Sequence, residues 1–147
     1  MNTSDVGVAL IKQFEGLRLT AYRDSVGILT IGYGHTGPDV FVGMQITEAQ
    51  ATELLRRDLK AAEQAVLEVV RAPLTQGMFD ALVSFTFNLG GQKLRASSLI
   101  RFVNSRQYRA ARDAFAAWCM AGGRPLPGLQ RRRAAEAELF ERDGDPA

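Results

Sequence analysis

Near the start of the chain, apolar residues recur at helical spacing. Val6, Leu10 and Phe14 stand at i, i+4 and i+8 with Ile11 beside them, so the spacing predicts a helix from about Ser4 to Glu15, stopped by Gly16. From Leu19 the period shortens. β-Branched and aromatic residues cluster in LTAY and ILTIGY on either side of RDSVG, which predicts a hairpin with a longer turn. Gly32, Gly34 and Gly37 then mark backbone that bends sharply or passes close to a neighbour.

Beyond residue 46 the pattern is helical. Thr47-Glu48-Ala49-Gln50 is a capping box, opening a helix that can run to Val70 with Leu54, Leu55, Leu59 and Val66 on its apolar side. Pro73 ends that run, and Thr75 is placed to cap GMFDALVSFTFNLG. That segment is apolar on most faces, and a helix of this kind belongs at the centre of a core. Shorter helices are expected in SSLIRFVN and in YRAARDAFAAWCM, the latter closed by Gly122-Gly123. Phe115, Trp118, Cys119 and Met120 read as core. A last helix opens at Pro127, and the tail DGDPA is expected to fray.

This order places a small β-containing lobe at residues 17–46 on a helical body formed by 1–16 and 47–147. The class is α+β, in a single domain over 1–147. At 147 residues and 46% hydrophobic, such a chain buries roughly 68–70% of its unfolded surface. It therefore folds without staples or metals. One cysteine and one histidine allow neither an internal disulfide nor an all-protein zinc site, and no metal or cofactor is expected. The N-terminal MNTSDVGVALIKQFEG holds no basic leader and no long apolar run. The expectation is synthesis in the cytoplasm without a signal peptide and without stable membrane insertion.

Charge changes the picture more than the net value of +2 suggests. Residues 93–133 run from Lys93 and Arg95 to Arg131, Arg132 and Arg133 against one acid, Asp113. Such a basic stretch suits an anionic partner, or else solvated Arg-rich helix faces. A nucleic-acid partner would call for stacking aromatics or a recognition-helix motif. Neither is present, and Glu136, Glu138 and Glu141 share the last helix, so nucleic acid is not expected.

The candidate chemistry lies in FEGLRLTAYRDSVGILTIGYGHTG, residues 14–37. Glu15 closes the first helix, Asp24 sits in the hairpin turn, and Thr30 lies on the returning strand. Glycoside hydrolysis needs two carboxyl groups in different environments, one protonated and one ionised. Glu15 beside Phe14 suits the acid, Asp24 in a polar turn suits the base, and Thr30 could share the attacking water. A Glu followed nine residues later by an Asp is common by chance, so this spacing does not carry the assignment alone.

The chain resembles the phage-type lysozymes, the T4-like and lambdoid endolysins of glycoside hydrolase family 24. The resemblance is carried in order by residues 14–37, ITEAQATELLRRDL at 46–59, FDALVSFTFNLG at 79–90, AGGRPLPGL at 121–129 and RRRAAEAELF at 131–140. It implies a lysozyme-like fold with an active-site cleft between lobe and body. Glu15, Asp24 and Thr30 are then catalytic in a muramidase that cuts the β-1,4 bond between N-acetylmuramic acid and N-acetylglucosamine, with inversion. Peptidoglycan glycan strands would be the partner, with the anionic envelope behind them. The enzyme would act as a monomer, reaching the periplasmic wall through a holin-type pore.

The same resemblance places Thr36, Phe87, Asn88 and Ser98 against substrate, although GGQKLRASS departs from the family's commonest pattern around Ser98. Phe87 and Asn88 equally suit a core aromatic and a helix-capping amide. His35 is expected to hold the loop through a hydrogen bond or ion pair, and Arg132 to reach toward Glu15. Two rivals remain open: a lytic transglycosylase on the same bond, and a peptidoglycan-binding module without turnover.

Overall fold

The computed structural model describes residues 1–147. Two compact units emerge, one of Ile11–Lys60 and one of Met1–Leu10 with Ala61–Ala147. Two helices run through both: α1 (Asp5–Glu15) and α2 (Glu48–Val69).

In Ile11–Lys60 the strands are β1 (Arg18–Arg23), β2 (Leu29–Gly32) and β3 (His35–Thr36), an antiparallel sheet in the order β1-β2-β3. The hairpin is the one that LTAY and ILTIGY predict. Between Arg18 and Tyr22 the register shifts. There β1 turns its other edge to the loop before α2: Ala21 N–H donates to Met44 O at 2.9 Å and Ile46 N–H to Leu19 O at 2.9 Å. The capping box then forms as its sequence requires, with Gln50 N–H donating to Thr47 Oγ1 at 3.1 Å and Thr47 N–H to Gln50 Oε1 at 2.9 Å.

The other unit is built around α3 (Gln76–Leu89), whose residues from Gly77 to Thr86 are all buried. A helix apolar on most faces does occupy the core. Thr75 caps it by accepting from Met78 N–H at 3.2 Å. Around it stand α4 (Gly91–Ala96), α5 (Ser98–Asn104), α6 (Tyr108–Ala114) and α7 (Pro127–Glu141). Phe85 packs edge-on against Phe115 and Trp118, at ring centroid separations of 5.8 and 5.5 Å.

Three expectations are corrected. The buried residues of α1 are Gly7, Val8 and Ile11, while Val6 is 53% exposed. At 3.6 residues per turn Val6 stands about 140° around the helix from the fully buried Ile11, so it falls outside the buried face. Secondly, the helix expected over YRAARDAFAAWCM stops at Ala114, and a 3₁₀ turn covers Phe115–Ala117. The chain then forms a hairpin of β4 (Met120–Ala121) and β5 (Arg124–Pro125). Gly122 and Gly123 have φ of 58° and 78°, the positive values that a type I′ hairpin turn demands at both central positions. They turn a hairpin and do not end a helix. Met120 is consequently 53% exposed, and Trp118 and Cys119 are half-buried. Thirdly, the tail is tied down at Asp143, whose Oδ2 accepts from Gly77 N–H at 2.9 Å.

Candidate active site

The central strand β2 organises the site. Thr30 pairs with Tyr22 on β1 and with Thr36 on β3, whereas Ile31 pairs with His35. Directly opposed residues share a face and successive residues alternate. Tyr22, Thr30 and Thr36 therefore form one row, and Ile31 and His35 lie on the opposite face. Thr30 is buried, and its Oγ1 donates to Ile28 O at 3.0 Å. With that proton committed, the hydroxyl oxygen is free to act as an acceptor.

Asp24 follows β1 directly, and its Oδ1 accepts from Val26 N–H at 3.0 Å and Ile28 N–H at 2.9 Å. An Asx turn of this kind is what an Asp at the head of a short loop builds. Both bonds fall on one oxygen, so the carboxylate is oriented while Oδ2 accepts neither of them. Glu15 is the last residue of α1 and is half-buried. Its Oε1 lies against Gly34 in the turn between β2 and β3: a Cβ at position 34 would stand 3.4 Å from it. Gly34 also has φ of 88°, a conformation that L side chains resist. The turn thus needs glycine for its bend, while a Cβ there would meet the carboxylate at ordinary van der Waals distance.

His35 reaches away from this row. Nδ1 stands 2.8 Å from Asp58 Oδ2 on α2, and Nε2 stands 2.9 Å from Asp39 Oδ2. Both ring nitrogens face carboxylates, a geometry that suits imidazolium, which donates from both. Burial alone would lower the pKa of His35, but the bonds to Asp58 and Asp39 outweigh it and leave the group raised. His35 is thus paired with Asp58 and with Asp39.

The remaining candidates lie in the helical unit. Phe87 and Asn88, in the last turn of α3, are half-buried, and so is Ser98, the first residue of α5. Ser97, not Ser98, caps that helix, accepting from Ile100 N–H at 3.3 Å. Asn88 Oδ1 accepts from Arg133 Nη2 at 2.9 Å. Arg132 is 4% exposed, and its Nε donates to Glu136 Oε2 at 3.3 Å.

Sequence reasoning missed the buried group behind Asn88. Arg133 and Glu136 have fully buried side chains with Arg133 Nε and Glu136 Oε1 2.6 Å apart, and Ser84 Oγ donates to Glu136 Oε2 at 2.5 Å. Burial pushes the Glu136 carboxyl up and the Arg133 guanidinium down, each resisted by the other's charge. One local signal was available, the i, i+3 and i, i+4 spacing of Arg133 and Arg132 from Glu136.

A family model described as phage lysozyme matches residues 12–136. The chain belongs to the phage lysozyme family. The endolysin of Salmonella phage P22 is 45% identical over 144 residues, covering 95% of this chain and 98% of that protein. The endolysin of Bacillus phage B103 is 41% identical over 142 residues, and these span 54% of its length. Among solved structures, a P22 lysozyme mutant superposes with a TM-score of 0.91 at 44% identity, over 95% of this chain and 98% of that one. The muramidase domain of SpmX from Asticaccaulis excentricus gives 0.88 at 42% identity, over 95% and 97%. The fold is lysozyme-like, as the sequence resemblance implies. Family membership makes the chain a lysozyme-type glycosidase, a peptidoglycan-hydrolysing enzyme of lysis. No helix is long and apolar enough to cross a membrane.

Proposed function

We propose that the enzyme is a muramidase that hydrolyses the β-1,4 bond between N-acetylmuramic acid and N-acetylglucosamine, with Glu15 as general acid and Asp24 as general base. Glu15 gives its proton to the glycosidic oxygen as the bond to the anomeric carbon breaks. A water attacks that carbon from the opposite face and yields its proton to Asp24, while Thr30 Oγ1 accepts the water's other O–H. The sugar leaves with inverted configuration, Glu15 ends ionised and Asp24 ends protonated. Inversion requires carboxyl groups about 6.5–9.5 Å apart, to leave room for the water.

The observation that carries this reading is how the hydrogen bonds are shared at Asp24 and Thr30. Two backbone N–H groups fix one Asp24 oxygen and leave the other for water, and Ile28 takes the Thr30 proton so that its oxygen accepts. Thr36, Phe87, Asn88 and Ser98 hold the glycan. Exposed arginines such as Arg95, Arg101, Arg106 and Arg109 draw the enzyme to the anionic envelope, and release follows a holin-type pore.

The test compares clearing of cell-wall suspensions by wild type, Glu15→Gln and Asp24→Asn, each shown to be folded by circular dichroism. Both substitutions should cost about 10²- to 10⁴-fold in rate, the range of general acid–base catalysis. Wild-type clearing by either variant removes that residue from the mechanism. Product analysis completes the test: inverted reducing ends support hydrolysis, and anhydro-muramic ends would replace it with lytic transglycosylation. Added salt should slow clearing if the arginines steer binding; salt-independent clearing removes them from that role.

A further inference from the structure

A cavity of about 360 Å³ lies in the helical unit, walled by the start of α3, by α6 and by the end of α7. Small-molecule sites begin at about this size. Met78 places it in the first turn of α3, about 15 Å along the helix from Asn88, and none of its lining residues belongs to the set proposed to act on the glycan. Its floor is apolar. Met78 and Phe140 are 1% exposed and Tyr108 is 8% exposed. The Tyr108 hydroxyl is committed to Pro73 O at 2.7 Å, so the ring is what Tyr108 offers the cavity.

The rim carries charge of both signs. Arg109 on α6 and Asp145 in the tail both line the cavity, and neither forms an ion pair. Arg112 is paired, but loosely. Its Nη2 donates to Glu141 Oε1 at 2.9 Å and its Nη1 to Asp113 Oδ1 at 3.3 Å, while Nε is buried without a partner. Both of those carboxylates are more than half exposed, and pairs of that kind contribute little and exchange readily. Asp145 is held in place by the residues before it. Asp143 Oδ2 accepts from Gly77 N–H at 2.9 Å, Gly144 N–H donates to Glu141 O at 3.1 Å, and the chain turns at Gly144 with φ of 72°. Opposite charges that flank one cavity without meeting each other match a ligand that carries both.

We propose that this cavity is a second binding site, for a zwitterionic α-amino-acid end group on an aliphatic chain. The carboxylate of such a group pairs with Arg109 and Arg112, its ammonium with Asp145 and Glu141, and its methylenes lie on Met78, Phe140 and the Tyr108 ring. A guanidinium takes a carboxylate through two parallel N–H bonds, and an ammonium brings three donors to carboxylate oxygens. In a bacterial wall this chemistry is offered by a diamino dicarboxylic acid in a stem peptide that is not cross-linked, since cross-linking acylates the ammonium. Holding that peptide raises the effective concentration of the attached glycan at the enzyme. The wall assignment rests on the peptidoglycan-hydrolase reading, whereas the amino-acid chemistry stands on the cavity alone.

Calorimetric titration of the intact protein with meso-diaminopimelate tests the chemistry, with pimelate and cadaverine as controls that keep an aliphatic chain but carry charges of one sign only. The diamino acid should bind at least about fivefold more tightly than either control. Arg109→Gln and Asp145→Asn should each weaken it by about two- to fivefold, the range of a partly exposed charge pair. Both side chains are exposed, so the variants keep the fold, and circular dichroism checks it. No binding of the diamino acid, equal binding of pimelate, or an unchanged affinity in Asp145→Asn overturns the proposal. Turnover then separates wall peptide from free amino acid as the source of the group. The ratio kcat/KM is measured on soluble strands bearing uncross-linked stem peptides and on the same strands after an amidase has removed the peptides. Asp145→Asn should lose about two- to fivefold on the first, through KM, and match wild type on the second. Wild-type values on both would overturn the wall assignment and leave free amino acid as the ligand. A failure of the muramidase reading shows elsewhere, in full turnover by Glu15→Gln, and leaves the titration standing.

Discussion

Two charge clusters in this chain mirror each other in composition and differ in their access to water. In Ile11–Lys60 one cation stands between two carboxylates, His35 between Asp58 at 2.8 Å and Asp39 at 2.9 Å. In the helical unit one carboxylate stands between two cations, Glu136 between Arg133 at 2.6 Å and Arg132 at 3.3 Å. The Asp39 side chain is 54% exposed and the Glu136 side chain 0%. Around His35, water and salt screen the outer arm, so its removal is cheap and its strength follows pH. Around Glu136 there is no such relief. Each charge there depends on the others, and what the cluster secures is geometry: one orientation of Arg133 and therefore of Asn88.

The largest effect should come from breaking the buried cluster. Glu136→Ala leaves the fully buried Arg133 guanidinium without its carboxylate, and loss of one partner from a buried pair costs about 3–5 kcal/mol. Urea unfolding measures it. A loss under about 1 kcal/mol would show that water reaches the cluster, and the contrast with His35 would collapse.

Next in size is His35→Asn, which should cost about 1–2 kcal/mol, since charge-assisted bonds are worth more than neutral ones but the outer arm is screened. Its pH dependence has a definite sign. The folded pKa of His35 is raised above 6.5, so its contribution is complete below 6.5 and is lost as pH rises through the folded value. The bond to His35 lowers the pKa of Asp39 below 3.8, so that contribution is present above 3.8 and is lost as pH falls through the lowered value. Between these limits both arms are whole. Denaturant midpoints of wild type and His35→Asn should therefore differ most near pH 5–6 and converge at alkaline pH; a gap that widens there contradicts the imidazolium clamp.

The same contrast explains what could be read from the chain. Elements held by local chemistry were legible. Thr47 and Gln50 exchange bonds within one turn, Thr75 caps three residues ahead, and the β-branched and aromatic residues clustered in LTAY and ILTIGY set a hairpin whose loop is closed by Asp24. For His35 the family resemblance left a hydrogen bond or ion pair as the expectation, without naming a partner. The buried cluster was not legible, because RRRAAE has the composition of a solvated helix face, and what buries Arg132 and Arg133 is α3, about fifty residues earlier. Ser84 and Asn88 supply partners that no local window contains. Gly122-Gly123 misled for a related reason: paired glycines stop helices and turn hairpins alike, and the choice fell to β4 pairing with β5 across them. The positions of Glu15, Asp24 and Thr30 came from family resemblance, and spacing alone would not have singled them out.

The smallest effect sharpens the comparison most finely, because it divides the His35 cluster within itself. Asp39 is more than half exposed, and Asp58, at 29%, is less so. An exposed pair is weak and is screened by salt, so Asp39→Asn should lower the urea midpoint only slightly at low ionic strength. In 1 M salt the Debye length shrinks to about 3 Å, and that loss should approach zero. Asp58→Asn removes the arm that ties β3 to α2, and its larger loss should survive the same salt. Urea midpoints of the two variants at low and high salt, near pH 5.5, provide the measurement. Equal losses with equal salt dependence would mean that exposure does not rank these two bonds, and the argument that separates His35 from Glu136 would lose its basis as well. A loss confined to low salt in Asp39→Asn and persistent in Asp58→Asn would place the boundary between screened and protected charge inside a single histidine ring.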